Sequence, residues 1–473
     1  MIGCYYYIAL AAILSQLLLA FHVYRNYHYA LQKYKKRRSW HQLRTVLIVP
    51  CKGLDSEFRE NIASFFNQDY ENYLLWFVVA DTSDPAYDEL CKLKDQLSPS
   101  SQAADVQILV AGHAQLCSQK LHNLLYCYRK LTDPGLSGET SAPAQAGVHI
   151  LAFADSDICV RSDWLSHLVW PLHQPKNGAA SGYRWFIPSK KNLASLALSA
   201  INAKVAQLLG NTRFNQAWGG SMAIRVEVFR RLGLDRVWSR ALSDDLSLSR
   251  AVKKAGMKIA FVPACLAASY ASTTWRELFE FGRRQFLITR ISAPRTWWFG
   301  LFSSLYSVLG VWGAAALAIY AAVIGHRNLP LFAAVPIIFL LSQFSQAILR
   351  QKMAKKLLKY GRQISPATRV PSTGSGQALS KVKGPGQGQP PAQVRGLMKA
   401  AMSADILAFW MWSLLLLFFI VSSACGRTIR WRGIRYKLVG PTKTIVIDDQ
   451  SSRTNSRPTG DNNGRTAGHL VRD

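Results

Sequence analysis

Four long uncharged apolar runs limit what this chain can become. Cys4–Val23, Trp297–Ile324, Leu329–Leu349 and Ile406–Cys425 contain no charged residue. Each reaches roughly the 20 residues that a helix needs to cross a hydrocarbon core of about 30 Å. The first run has the apolar character of a signal peptide, but no basic segment precedes it. Seven Lys or Arg residues come after it between Arg25 and Arg44 with no intervening acid, the flank of a retained anchor. The chain reads as an integral membrane protein with an anchor at 1–24, two transmembrane segments within 297–349 and another at 400–426. The positive-inside rule puts the region after the anchor in the cytoplasm.

This arrangement also explains the charge. Lys and Arg number 57 against 27 Asp and Glu, a formal +30. Much of the excess flanks apolar runs: residues 350–399 hold 11 basic residues and no acid, and Arg427–Lys437 is basic again. Orientation and anionic headgroups account for such charge, so no nucleic-acid partner is expected. Residues 350–399, Gly/Pro/Ser/Gln-rich at the centre, read as a basic disordered linker. Residues 427–473 read as a basic stretch and then a disordered tail. The 8 cysteines are scattered with no CxxC pair, against a zinc site or a disulfide scaffold. One conflict stays open. Three spans after a cytoplasmic domain would put the basic tail outside. Either one run is re-entrant or interfacial, or a long run such as Trp297–Ile324 does not cross simply.

Residues 45–295 are of a different kind. Short β-rich runs (Val46–Pro50, Leu74–Ala80, Val106–Val110, Val148–Ala154, Ala179–Ile187) alternate with helical stretches, which predicts an α/β, Rossmann-like domain with a mainly parallel sheet. Thr132–Gly147, rich in Pro, Gly, Ser and Ala, reads as a surface loop. Ligands of open α/β sheets bind outside the carboxyl ends of the strands, and acids stand there. Leu151–Ala154 leads into Asp155-Ser-Asp157, two hard oxygen ligands suited to Mg²⁺ or Mn²⁺ on a diphosphate, or a pair of turn aspartates. Leu75–Ala80 leads into Asp81, a hydrogen-bond acceptor for a base or ribose, or again a turn residue. Val46–Pro50 leads into Lys52-Gly53-Leu-Asp55, a cation and a glycine loop able to meet a nucleotide. In Trp218-Gly219-Gly220-Ser221-Met222 two glycines admit close approach of backbone to ligand, beside an indole that is either a sugar platform or a core residue. Ser243-Asp244-Asp245 opens a helical pattern that stops at Gly256. Ser243 suits the N-cap, acids suit the first turn, and one of the pair is free to act as general base. Trp275–Arg295 sets Phe286, Leu287 and other apolar residues among five arginines, the pattern of a helix on the membrane surface with those side chains facing lipid.

Taken in order, Lys52-Gly-Leu-Asp55, Asn67-Gln-Asp-Tyr70, Asp81-Thr-Ser-Asp84-Pro-Ala86, Lys120-Leu-His-Asn-Leu124, Asp155-Ser-Asp157, Gly219-Gly-Ser-Met222 and Ser243-Asp-Asp245 resemble the ceramide glucosyltransferases. The resemblance implies a GT-A catalytic domain at the cytosolic membrane face. It implies inverting transfer of glucose from UDP-glucose to a lipid hydroxyl, with Mg²⁺ or Mn²⁺ as cofactor at Asp155 and Asp157. Asp81 then resembles the nucleotide-contacting aspartate, and Asp245, second of the catalytic pair with Asp244, resembles the catalytic base. Lys52, Lys120, Asn123, Asp155, Gly219, Gly220 and Arg284 fall on the nucleotide-sugar side. One motif departs: Arg284 matches the first position of the family's Arg-x-x-Arg-Trp, but the Arg-Trp pair is missing, where the domain faces its acceptor. That leaves UDP-N-acetylglucosamine, or a hopanoid, diacylglycerol or polyprenyl acceptor, as alternatives, with an inactive membrane scaffold as the reading from another class.

Overall fold

The computed structural model describes residues 2–34, 43–55, 57–133, 147–359 and 392–449. Its centre is a seven-stranded sheet of order β3-β2-β1-β4-β6-β5-β7. The strands are β1 Thr45–Pro50, β2 Tyr73–Val79, β3 Asp105–Val110, β4 Ile150–Ala154, β5 Asn177–Pro188, β6 Ser221–Arg225 and β7 Lys258–Ala271. β6 runs antiparallel to both neighbours; the other pairs are parallel. The central strands are buried on both faces, so they read as continuous apolar runs. The pleat sends Leu47, Val49, Leu75 and Phe77 into one core and Val46, Ile48, Leu74, Trp76 and Val78 into the other.

Five strands stand where the sequence pattern predicts them. β6 and β7 escape it. β6 has only five residues, and β7 carries Pro263 and a register shift opposite Ser181–Tyr183. Most of the predicted Thr132–Gly147 loop lies outside the described residues.

The N-terminal helix does not stop at 24. It runs Ile2–Lys33, and Tyr29 donates its hydroxyl to the Phe261 carbonyl at 3.0 Å, fastening helix to sheet. Helical segments Pro294–Val323 and Leu329–Leu358 are, with the N-terminal helix, long and apolar enough to cross a membrane. Two expectations for the C-terminal part are corrected. First, the linker is shorter than 350–399: the preceding helix continues to Lys359 and the next begins at Ala392, while the Gly/Pro-rich centre lies outside the described residues. The extension is anchored by charge, since Arg350 and Gln351 donate to the fully buried carboxylate of Asp405. Second, 400–426 is not a straight span. Helices Ala392–Leu407 and Trp412–Ser422 meet at 87°, and the Asp405 carbonyl accepts the Trp412 indole N–H at 3.3 Å across the break.

The basic stretch beyond Arg427 is also structured. β8 Thr428–Trp431, β9 Ile434–Gly440 and β10 Lys443–Asp449 form a three-stranded antiparallel sheet. Its apolar residues Ile429, Ile434, Tyr436 and Leu438 share one core with Leu242, Leu287 and Ile288. Leu287, expected to face lipid, is therefore completely buried. The surface helix is Trp275–Ser292, closed at its start by a Thr274/Glu277 capping box. Two of its arginines satisfy carbonyls left over at the end of Trp412–Ser422: Arg283 donates to Ser422 and Cys425, and Arg290 to Gly426.

Candidate active site

The acids at the strand ends converge. Lys120, on helix Gln119–Thr132, lies 2.7 Å from Asp155 Oδ1 and 2.9 Å from Asp244 Oδ2. Arg184, on β5, lies 3.2 Å from Asp155 Oδ2 and 3.0 Å from Asp157 Oδ1. Its guanidinium rests over the rings of Trp218 and Phe186, with centroids at 5.1 and 5.3 Å, which fixes a long side chain. Trp218 thus has a definite partner, beside Tyr183.

Close packing explains the Gly219-Gly220 pair. A Cβ on Gly219 would stand 2.2 Å from Asp244 Oδ2 and 2.7 Å from Lys120 Nζ. One on Gly220 would stand 2.6 Å from Asp155 Oδ2 and 2.2 Å from the Trp218 ring. Neither position has room for a side chain.

The acid pair divides its work. Ser243 caps helix Asp244–Lys254, its hydroxyl accepting the Leu246 N–H at 3.2 Å. Asp244 points inward, buried against Lys120. Asp245 is only half-buried and accepts the Gly219 N–H at 3.2 Å.

Protonation follows from these contacts. Burial pushes the Asp244 carboxyl up to about 6, with Asp245 and Asp155 adding repulsion and Lys120 opposing. Burial also works against charge on Asp155, but Lys120 and Arg184 outweigh it and hold Asp155 below the usual carboxylate range. Asp157 is pushed up by burial and by Asp155. Lys120 is driven down by burial, yet its two carboxylates prevail and keep it above the ordinary lysine value.

Among the described residues, Lys120 and Arg184 are the cations in direct contact with Asp155, Asp157 and Asp244, while Asp245 makes no ion pair. Oxygens of Asp155 and Asp157 already converge on one cationic nitrogen. Among the described residues no group of three or more His, Cys, Asp or Glu forms a metal cage. Two hard carboxylates converging on one point fit a divalent cation that takes its other ligands from substrate and water.

The remaining residues separate. Asn123, placed by sequence on the nucleotide side, is turned inward: it donates to the Val78 carbonyl at 3.4 Å and accepts from Gln119 at 2.8 Å, bracing the end of β2. Asp81 stands half-exposed past β2, its carboxyl held below the usual range by the Ser83 N–H, with His113 3.7 Å away. Asp84 caps helix Pro85–Leu97 and accepts the Gly53 N–H at 2.8 Å, which fixes the Lys52-Gly53 loop. Arg284 sits over the Phe281 ring, depressed by burial and by the charge of Arg432. Sequence reasoning passes over Arg184 and Arg432. A lone cation in the otherwise uncharged run Ala179–Ile187 is the signal for the first. Alternating apolar and basic residues around Arg432-Gly433 are the signal for the second.

The fold is a mixed α/β sheet of the GT-A type, with one antiparallel strand beside β4, acids at its strand ends and long apolar helices attached. The chain belongs to glycosyl transferase family 21, the ceramide glucosyltransferase family, whose model matches residues 6–357. It is a glycosyltransferase acting on lipid. Among solved structures it is similar to the mannosyltransferase PcManGT from Pyrobaculum calidifontis, determined in complex with GDP-Man and Mn²⁺. Identity is 14% and the TM-score 0.37, over 88% of this chain and 97% of that one.

Proposed function

We propose that the protein transfers glucose from UDP-glucose to the hydroxyl of a ceramide-like membrane lipid, with inversion at the sugar, from a multi-pass position whose catalytic domain faces the cytoplasm. The observation that carries this reading is the division of the acid pair: Asp244 is locked to Lys120, whereas Asp245 is half-buried beside Gly219. Asp245 takes the proton of the acceptor hydroxyl as that oxygen bonds to the anomeric carbon. The bond from that carbon to the diphosphate breaks on the opposite face. One displacement needs no enzyme nucleophile, and it inverts.

Asp155 and Asp157 would hold Mg²⁺ or Mn²⁺, which when bound neutralises charge on the diphosphate. Lys120 keeps Asp155 ionised for that task, and Arg184 must move aside from the pair. Asp81, beyond the end of β2, is assigned to the nucleoside. The sharp bend at 408–411 supports a re-entrant last segment, because the chain beyond it packs on the catalytic domain. A basic tail on the cytoplasmic side then agrees with the charge rule.

Purified membranes incubated with labelled UDP-glucose, UDP-N-acetylglucosamine, UDP-galactose and GDP-mannose, followed by lipid extraction, test the reading. Labelled glucosyl lipid is expected from UDP-glucose and a sphingoid acceptor. Label entering lipid from UDP-N-acetylglucosamine alone, or only with a sterol-like or glycerolipid acceptor, overturns the assigned substrates. No label in lipid from any donor overturns the reaction.

A further inference from the structure

The three-stranded sheet at the C-terminal end lies beyond residues 6–357, and its first hairpin points at the site. Trp431 pairs with Ile434, so the turn has two central residues, Arg432 and Gly433, with φ of +47° and +86°. Both are left-handed, as a tight two-residue hairpin turn requires. An arginine there is unusual, because non-glycine residues other than Asn and Asp seldom adopt that conformation. The hairpin is seated by the core that Ile429, Ile434 and Tyr436 share with Leu242 and Leu287, and the Thr444 N–H donates to the Arg240 carbonyl at 2.8 Å.

The tip engages the loop after β1 by two reciprocal bonds. Lys52 Nζ donates to the Arg432 carbonyl at 3.2 Å, and Arg432 Nη1 donates to the Lys52 carbonyl at 3.1 Å. One N–H edge of the guanidinium is thereby used. The side chain stays exposed at the mouth, and its charge reaches Asp155, Asp157 and Arg284. The hairpin tip is thus fastened to the end of β1, next to β4, and Arg432 is the cation it brings towards the carboxylates of Asp155 and Asp157.

We infer that Arg432 is a donor-binding residue: the hairpin tip roofs the nucleotide-sugar site over the Lys52 loop, and its guanidinium binds the diphosphate of the nucleotide. The inference rests on the nucleotide-sugar donor proposed above. A planar fork suits two phosphate oxygens better than an ammonium does.

The test is competition binding by the full-length protein in detergent. UDP, GDP, ADP and the corresponding nucleosides are titrated against wild type, Arg432→Gly and Arg432→Lys. Glycine relieves the left-handed turn, so Arg432→Gly should keep the wild-type melting temperature while losing the guanidinium. For whichever diphosphate wild type prefers, Arg432→Gly is expected to weaken binding about 10- to 100-fold, the worth of a charge-assisted contact. The affinity for the nucleoside should hold, and Arg432→Lys should fall between. Unchanged diphosphate affinity in Arg432→Gly overturns the inference. So does an equal loss for diphosphate and nucleoside, which would make the tip a plain wall. Preference of wild type for GDP or ADP overturns the UDP reading and leaves the Arg432 comparison intact. A wild type that takes no nucleoside diphosphate overturns both.

Discussion

Replacing Lys120 by Met removes the cation shared by Asp155 and Asp244. The three side chains are 16%, 23% and 6% exposed, and the contacts are 2.7 and 2.9 Å. Removing one partner of a buried pair costs about 3–5 kcal/mol, because a charge is left without compensation. For a domain of this size that corresponds to a fall of roughly 6–20 °C in melting temperature. The pH dependence gives the cause away. Asp244 already titrates at about 6, raised from 3.8 first by burial. A carboxyl raised on folding keeps its proton longer in the folded state, so ionising it destabilises, increasingly as pH climbs from the unfolded value to the folded one. Without Lys120 the folded value rises further and the window extends into neutral pH. Lys120→Met should therefore be least stable at about pH 8 and recover much of its loss by about pH 5.5. Lys120 itself, held above the ordinary lysine value, stabilises fully at neutral pH and loses that effect only in strong base. Thermal unfolding across this pH range is the assay, with Lys120→Met/Asp244→Asn as the control. Deleting the stranded charge should restore about 2 kcal/mol. A double variant no more stable than the single one would refute Lys120 as the counter-ion of Asp244.

Asp245→Asn should lower turnover about 10²- to 10⁴-fold with UDP affinity unchanged; normal turnover there, with loss in Asp244→Asn, would exchange their roles. Gly219→Ala forces a methyl within 2.2 Å of Asp244 Oδ2, and should cost about 1–3 kcal/mol together with activity, read by melting and by initial rate. EDTA should stop transfer and Mg²⁺ or Mn²⁺ restore it, whereas full activity in excess chelator would leave Asp155 and Asp157 as partners of Lys120 and Arg184 only. Leu287→Ser should destabilise by about 2–5 kcal/mol and expose the hairpin to proteolysis, while the Michaelis constant for lipid moves little; a raised lipid constant at normal stability would return this side chain to the acceptor.

Legibility in the sequence tracks the range of the interaction. β1, β2 and β4 announce themselves because burial on both faces demands unbroken apolar runs, and Asp81 and Asp155 stand out because the strands stop in front of them. Ser243 shows as a cap because capping is decided within four residues. Arg184 depends on a ring supplied by Trp218, and Arg432 on Lys52, some 380 positions earlier. Such pairings leave no local trace. Asn123 enters through the resemblance of Lys120-Leu-His-Asn-Leu124, which carries no trace of the bond its amide makes to the end of β2. The last apolar run looks like a plain span because hydropathy registers Asp405 as a boundary, whereas its pairing with Arg350 makes it a buried anchor for a bend.

The shared core of Leu242, Leu287, Ile288, Ile429, Ile434, Tyr436 and Leu438 sets a timetable for the growing chain. Three of those seven residues are synthesised before the middle membrane helices and four after them. At about 5–20 residues per second, the roughly 140 residues between Ile288 and Ile429 take about 7–28 s to emerge. Throughout that interval Leu287 and Ile288 lack the hairpin's cover and have only Leu242 from that core. A chain cut short before Ile434 would never leave that state, and quality control would meet it as an exposed apolar helix rather than as a finished domain lacking a tail.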